Sequence, residues 1–118
     1  MDELPADSPR SGGTLTLPPR KAKGRVHEVR IPLEGGESLR WETHEALGPG
    51  LVSFNLHSHK GQDVTYHATA DDATASGTFV APWAGDFYAM WENRSDREVA
   101  VTYLLERVRG RSSPTAGA

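Results

Sequence analysis

The 118-residue chain contains no cysteine, which excludes disulfide bonds, a thiol nucleophile and a thiolate metal site. Long apolar runs are missing as well, and none approaches the roughly 20 residues that a membrane-spanning helix requires. The acidic start over Met1–Pro5 lacks the apolar segment of a secretory signal. We therefore expect a soluble chain, which is cytoplasmic, or periplasmic if a signal or a membrane anchor lies upstream.

The chain also lacks a large excess of charge of either sign, because it has thirteen basic and sixteen acidic residues and a net charge of −3. This balance does not indicate a nucleic-acid partner. The motifs of common catalytic sites are absent from the sequence: it has no nucleophile elbow, no phosphate-binding glycine loop and no His-Glu-x-x-His. We therefore expect a protein that is not an enzyme.

Sustained helical periodicity is absent, and short alternating runs separated by turn residues take its place. This pattern predicts an all-β, antiparallel sandwich of jelly-roll type with about seven or eight strands. We expect one domain over residues 13–109, with disordered tails over 1–12 and 110–118, which are rich in proline, serine and glycine. The predicted strands lie near 14–17, 26–33, 38–43, 51–58, 64–70, 77–81, 86–93 and 98–108.

The strand over 86–93 carries the strongest pattern in the chain. Phe87, Ala89 and Trp91 fall on one face, and Tyr88, Met90 and Glu92 fall on the other. We expect the first face to pack in the core. Met90 then faces away from the core, where it is either packing material or a soft ligand for Cu⁺.

The same region resembles a known family. The resemblance depends on two glycine and aromatic patterns and one upstream pattern, namely Gly77-x-Phe79, Pro82-x-x-Gly85-x-Phe87 with Trp91 and Asn93, and Val52-x-Phe54-x-x-His57. Over residues 26–108 the chain is similar to a GOLD-like β-sandwich domain, and most similar to the extracytoplasmic domains of small bacterial membrane-anchored proteins. The resemblance implies a sandwich fold, whereas the cargo-adaptor members carry a cysteine at the position of Met90, and bacterial members often carry a histidine at that of Phe87.

Three histidines form a candidate metal site. His57 and His59 lie two residues apart and therefore project from one face of a strand. If the following hairpin has an odd-numbered loop, with Val64, Tyr66 and Ala68 on the core face, His57 pairs directly with His67. Three imidazoles at that distance are able to bind Zn²⁺ or Cu²⁺. The alternative is that they are solvated histidines on an exposed face.

These features leave three functional interpretations. The first is a non-catalytic binding module that contacts a protein partner, or a second copy in a homodimer, through a strand edge or a loop end. Trp83, in the turn between two strands, is the expected contact residue. The second is a copper- or zinc-binding protein that uses the three histidines. The third is a small carbohydrate-binding module that uses Trp83 and neighbouring aromatic side chains.

Overall fold

A computed structural model describes residues 2–46, 48 and 50–108, and every regular element in these ranges is a β-strand. In the same ranges, no helix is long and apolar enough to cross a membrane. The strands are β1 (Asp2–Glu3), β2 (Arg10–Leu17), β3 (Val26–Leu33), β4 (Ser38–Glu45), β5 (Val52–Lys60), β6 (Asp63–Ala70), β7 (Thr74–Val80), β8 (Gly85–Asn93) and β9 (Val99–Val108).

The strands form two sheets that pack face to face. The five-stranded sheet has the order β1-β3-β8-β5-β6, and the four-stranded sheet has the order β2-β9-β4-β7. All neighbouring strands are antiparallel except β1 and β3, which are parallel. From β2 to β9 the order is that of a jelly roll. The predicted all-β sandwich is confirmed: its eight strands correspond to β2–β9, and β1 is an additional short strand.

The core contains the residues that the alternating pattern selects. Phe87, Ala89 and Trp91 of β8 are fully buried, as the pattern predicts. The ring of Phe54 lies between two tryptophans, 4.7 Å from the ring of Trp41 and 5.2 Å from that of Trp91. Aromatic side chains bury about 150–250 Å² each, so a few of them supply much of the hydrophobic stabilisation of a domain of this size.

The N-terminal segment differs from the disordered tail that we expected over residues 1–12. Leu4 is fully buried in the core, β1 ends directly before it, and β2 begins at Arg10. The buried guanidinium of Arg107 donates hydrogen bonds to backbone carbonyls of this segment, including that of Pro5 at 2.9 Å. The composition of this segment gives no indication of interactions that would offset the entropy lost on ordering it. In the structure, the burial of Leu4 and the charge-assisted hydrogen bonds from Arg107 provide them. The other expected tail, 110–118, lies outside the described residues.

The hairpin between β5 and β6 has a different register from the one we predicted. Lys60 pairs with Asp63, so the loop contains two residues, and Gly61 takes the positive φ of 62° that such a turn requires. His57 therefore pairs with Tyr66 instead of His67. The odd-numbered loop was the wrong assumption, and the predicted direct pairing of the two histidines is wrong with it.

A β-bulge in β6 then restores the match between the core faces of the two strands. Leu56 pairs with Ala68 while His57 pairs with Tyr66, which leaves His67 as the extra residue. Ala68 packs against the core as expected. Val64 and Tyr66 lie before the bulge on the outer face, and their exposed fractions of 42% and 61% contradict the predicted core positions.

Candidate metal centre

The candidate metal centre lies on the outer face of the five-stranded sheet, where β3, β8 and β5 run side by side. Glu28 of β3 follows the alternation opposite to the buried Val29. His57 and His59 of β5 project from the same outer face, and Tyr88 of the intervening strand pairs with His57. The strand order therefore brings a carboxylate and two imidazoles together over β8.

The donor atoms of Glu28, His57 and His59 all lie within 4.8 Å of one another. The Oε2 atom of Glu28 is 3.2 Å from Nε2 of His57. Ligands of a tetrahedral zinc ion with bonds of 2.0–2.2 Å are about 3.4 Å apart, so this pair already has a suitable separation. His59 is exposed and is able to rotate the remaining distance. Among the described residues, Glu28, His57 and His59 form a group of three metal-binding side chains whose donor atoms are close enough to share one ion.

Asn55 fixes the orientation of the His57 ring. Its Oδ1 atom lies 2.6 Å from Nδ1 of His57, and both side chains are buried. A carbonyl oxygen only accepts hydrogen bonds, so in this arrangement Nδ1 of His57 carries the hydrogen and donates it. Nε2 of the neutral ring then presents its lone pair toward Glu28. Metal-binding histidines are commonly oriented by such a partner on the other ring nitrogen.

Burial has the largest influence on the pKa of His57. Removal from water lowers the pKa of His57, and the nearby Glu28 carboxylate raises it by a smaller amount. The imidazole of His59 contributes a further lowering. Because the pKa is lowered overall, the neutral ring is favoured, and its lone pair at Nε2 faces a carboxylate oxygen. A cation between the two atoms would remove that unfavourable contact.

The ring of Tyr88 contacts both imidazoles. Its ring is stacked on that of His57, with centroids 5.5 Å apart and planes 19° apart. The ring of His59 meets Tyr88 at 5.2 Å and His57 at 5.0 Å, in both cases nearly edge-on. The buried His57 ring is therefore held by aromatic contact with the central strand, which reduces the entropy that it loses when it binds an ion.

His67 lies away from this cluster because the bulge turns it toward the core. Its ring contacts Phe79 at 4.8 Å and Phe87 at 5.5 Å, and its Nε2 is 2.8 Å from Oγ of Ser58. Burial lowers the pKa of His67. The structure thus brings His57 and His59 together and separates them from His67, contrary to the predicted three-histidine arrangement.

Trp83 lies in the turn between β7 and β8 and is 49% exposed. Its ring lies 5.9 Å from His67 and 6.0 Å from Phe87, so one side of the indole covers the core. The other side faces solvent and is available for contact. Its predicted role as a partner-binding residue stays a prediction.

Sequence reasoning missed Glu28 and Asn55. Asn55 was accessible from the sequence, because the alternation that places His57 and His59 on one face also places Asn55 there. Glu28 was not accessible in this way. Its position over His57 depends on the order β3-β8-β5, which joins strands far apart in the chain.

Comparisons with known proteins identify the fold. No family model matches the chain, and no curated protein matches it. A pre-peptidase C-terminal domain of collagenase from Bacillus anthracis is similar in structure, with a TM-score of 0.64, 14% identity, and coverage of 91% of this chain and 93% of that one. PliG, a periplasmic inhibitor of g-type lysozyme from Aeromonas hydrophila, has a TM-score of 0.59, 10% identity, and coverage of 91% and 95%.

At these identities the likeness shows the β-sandwich fold alone. It supports the sandwich part of the family resemblance, and membership of the GOLD-like group stays a prediction.

Proposed function

We propose that this domain is a non-catalytic binding module and that the species it binds is a divalent transition-metal ion, Zn²⁺ or Cu²⁺. Glu28, His57 and His59 are the proposed protein ligands, with Asn55 as the residue that orients His57. This set replaces the three histidines of the sequence-based prediction. It retains two of them and exchanges His67 for a carboxylate.

The observation that carries this proposal is the contact between Glu28 and His57. A hydrogen on Nδ1, directed at Asn55, leaves the lone pair of Nε2 facing a carboxylate oxygen at 3.2 Å. Two acceptors at that distance repel each other unless a proton or a metal ion lies between them. Because burial lowers the pKa of His57, a proton is disfavoured. A metal ion satisfies both atoms and adds His59 as a third ligand.

Two imidazoles and one carboxylate are ligands that both Zn²⁺ and Cu²⁺ accept. Three protein ligands leave at least one coordination position open to water or to another molecule. The non-catalytic part of the proposal draws support from the location of the site on the outer face of a sheet, where His59 is exposed to solvent. One structural neighbour, an inhibitor of g-type lysozyme, is an example of a sandwich of this shape that acts without being an enzyme.

Thermal unfolding of protein purified without an affinity tag tests the proposal. An ion that binds only the folded state stabilises that state by about 2.7 kcal/mol when the free ion concentration is a hundred times the Kd. In a domain of this size, this stabilisation raises Tm by roughly 10 °C. We expect this rise with Zn²⁺, at a stoichiometry of one ion per chain by calorimetric titration. His57→Ala and, separately, His59→Ala should abolish it.

His44→Ala is the matched control, because His44 is an exposed histidine of the four-stranded sheet whose Nδ1 lies 2.6 Å from Oγ1 of Thr74. It should keep the full metal-induced rise. Each variant is compared with its own metal-free Tm, so that a loss of stability caused by replacing the buried His57 is not counted as a loss of binding. An equal rise in wild type and in both site variants would contradict the proposal.

A second candidate function is contact with a protein partner or a second copy along the side of the sandwich where β6 and β7 form the sheet edges. The observation that favours it is the position of four of the six exposed large apolar side chains among the described residues. Val64 and Tyr66 of β6, Val80 of β7 and Trp83 of the next turn are 42–61% exposed. Exposed apolar residues beside unpaired strand edges are typical of sites of strand addition.

Light scattering at increasing concentration tests self-association through this side. A dimer that Val64→Lys converts to a monomer supports the second candidate, because a charge on an edge strand opposes pairing. A dimer that the substitution leaves intact argues against this side as the interface. The carbohydrate-binding interpretation stays a prediction.

A further inference from the structure

Met90 lies on the central strand β8, at the outer-face position next to Tyr88, whose ring contacts the two imidazoles of the proposed metal site. It alternates with the buried Ala89 and Trp91, so its side chain lies on the outer face of β8. The sheet register pairs it with Glu28 on one side and with Asn55 on the other. Met90 is therefore the direct cross-strand neighbour of a proposed ligand and of the residue that orients another.

The contact between Glu28 and His57 requires the Glu28 side chain to cross over β8. The two residues lie on β3 and β5, which flank β8 on opposite sides, and yet their donor atoms are 3.2 Å apart. The pair thus lies above the stretch of β8 that contains Tyr88 and Met90. Met90 pairs directly with Asn55, so His57 is its diagonal cross-strand neighbour. Such neighbours are about 7–8 Å apart, which long side chains are able to bridge, and methionine is long and flexible.

The chemistry of a thioether differs from that of the other donors. A thioether sulfur is a soft, neutral ligand that selects Cu(I), whereas a carboxylate suits harder divalent ions. We infer that the site has two overlapping donor sets that share His57 and His59. Met90 completes the set for Cu(I), and Glu28 completes the set for Zn²⁺ or Cu²⁺. This inference rests on the proposed metal site and extends it to a cuprous ion.

Cu(I) titration under anaerobic conditions against a colorimetric Cu(I) chelator, in parallel with Zn²⁺ titration, tests the inference. Met90→Leu conserves volume and apolar character and removes only the sulfur. We expect it to weaken Cu(I) binding by at least about tenfold, while Zn²⁺ affinity stays within about twofold of wild type. Glu28→Gln should have the reverse pattern, with the larger loss for Zn²⁺.

X-ray absorption of the Cu(I) protein gives a direct second readout. The chain has no cysteine, and its two methionines are Met1 and Met90, so a sulfur neighbour has few sources. We expect a sulfur neighbour of the copper ion in wild type that is lost in Met90→Leu. Unchanged Cu(I) affinity in Met90→Leu, or an equal loss for both ions, would overturn the inference.

The outcomes distinguish the role of Met90 in Cu(I) binding from the proposed metal site itself. Wild-type protein that binds Zn²⁺ but not Cu(I) would refute the role of Met90 and leave the proposed function standing. Wild-type protein that binds neither ion would refute both. Binding of both ions, with opposite sensitivity to the two substitutions, is the result that supports the inference.

Discussion

At the scale of single residues, one amide determines what His57 presents to a ligand. The Oδ1 atom of Asn55 lies 2.6 Å from Nδ1 of His57, and this contact directs the lone pair of Nε2 toward Glu28. Without it, the ring is free to carry its hydrogen on either nitrogen. In the proposed site, Asn55 is therefore a positioning residue, which would act on a bound ion through His57.

Replacement of Asn55 should weaken metal binding without removing a ligand. We expect Asn55→Ala to lower the Zn²⁺ affinity by about 10–100-fold, the usual effect of losing a partner that orients a ligand. Asn55→Asp should retain binding, because a carboxylate also accepts the hydrogen bond from Nδ1. Calorimetric titration measures both. Ser53→Ala, a change on the same face of β5 two residues away, is the control, and an affinity for Asn55→Ala equal to that of the control would contradict this role.

Of the three proposed ligands, two were predictable from the sequence and the third was not. Strand alternation correctly placed His57 and His59 on one face, because side chains alternate regardless of the rest of the fold. The third ligand was assigned to His67, the nearest histidine along the chain. In the proposed site Glu28 takes that position, because β8 pairs with both β3 and β5 and brings Glu28 next to His57. Local sequence does not contain that information.

At the scale of elements, the pairing of β4 with β7 depends on a glycine. Gly77 pairs with Trp41, and a Cβ atom added at Gly77 would lie 2.6 Å from Cζ2 of the indole. The indole is buried and also packs against Phe54. Trp41 therefore occupies the space that a side chain at position 77 would need.

We expect Gly77→Ala to lower the free energy of unfolding by about 1–3 kcal/mol, the usual cost of overpacking a core. Denaturant unfolding monitored by tryptophan fluorescence measures it. Gly85→Ala is the matched control, because a Cβ atom at this other strand glycine would meet its nearest neighbour at an ordinary 3.5 Å. The control should change stability by less than about 1 kcal/mol. Equal effects at the two positions would refute the steric explanation.

The β5–β6 hairpin explains why register was harder to predict than strand location. The hairpin that was expected after His59 is present, and Gly61 tolerates the positive φ of its tight turn. The loop length was off by one residue, and a shift of one residue exchanges the two faces of a strand. The bulge at His67 compensates for the shift farther along β6, so the core stays intact while His67 leaves the outer face.

At the scale of the whole molecule, His67 connects the titration of one side chain to the packing of the two sheets. It contacts Phe79 of the four-stranded sheet and Phe87 of the five-stranded sheet. Burial lowers the pKa of His67 below its ordinary value of 6.5. The unfolded chain therefore binds a proton at a higher pH than the folded chain does.

It follows that stability should fall as the solution is acidified. The contribution of His67 is fully present above pH 6.5 and is lost as the pH decreases from there toward the lower pKa of the folded state. In metal-free protein we expect a smaller free energy of unfolding at pH 5.5 than at pH 7.5 by urea titration. His67→Gln should reduce this difference, and a difference of unchanged size would show that His67 does not contribute to it.

The fold as a whole was largely predictable because the domain has two sheets with one buried face each. That arrangement gives a period of two to most of the long strands and most clearly to β8, whereas β5 and β6 depart from it. The N-terminal segment follows a different principle. It is held by Leu4 and by the guanidinium of Arg107, from the opposite end of the chain, and such a contact leaves no periodic signal.

The most direct test of the metal centre is to observe all five histidines at once. They are His27, His44, His57, His59 and His67. In protein labelled with ¹⁵N at the histidine rings, one equivalent of Zn²⁺ should shift the ring nitrogens of His57 and His59 and leave those of the other three in place. A shift of His67 together with His57, or no shift of His57, would contradict the proposed centre.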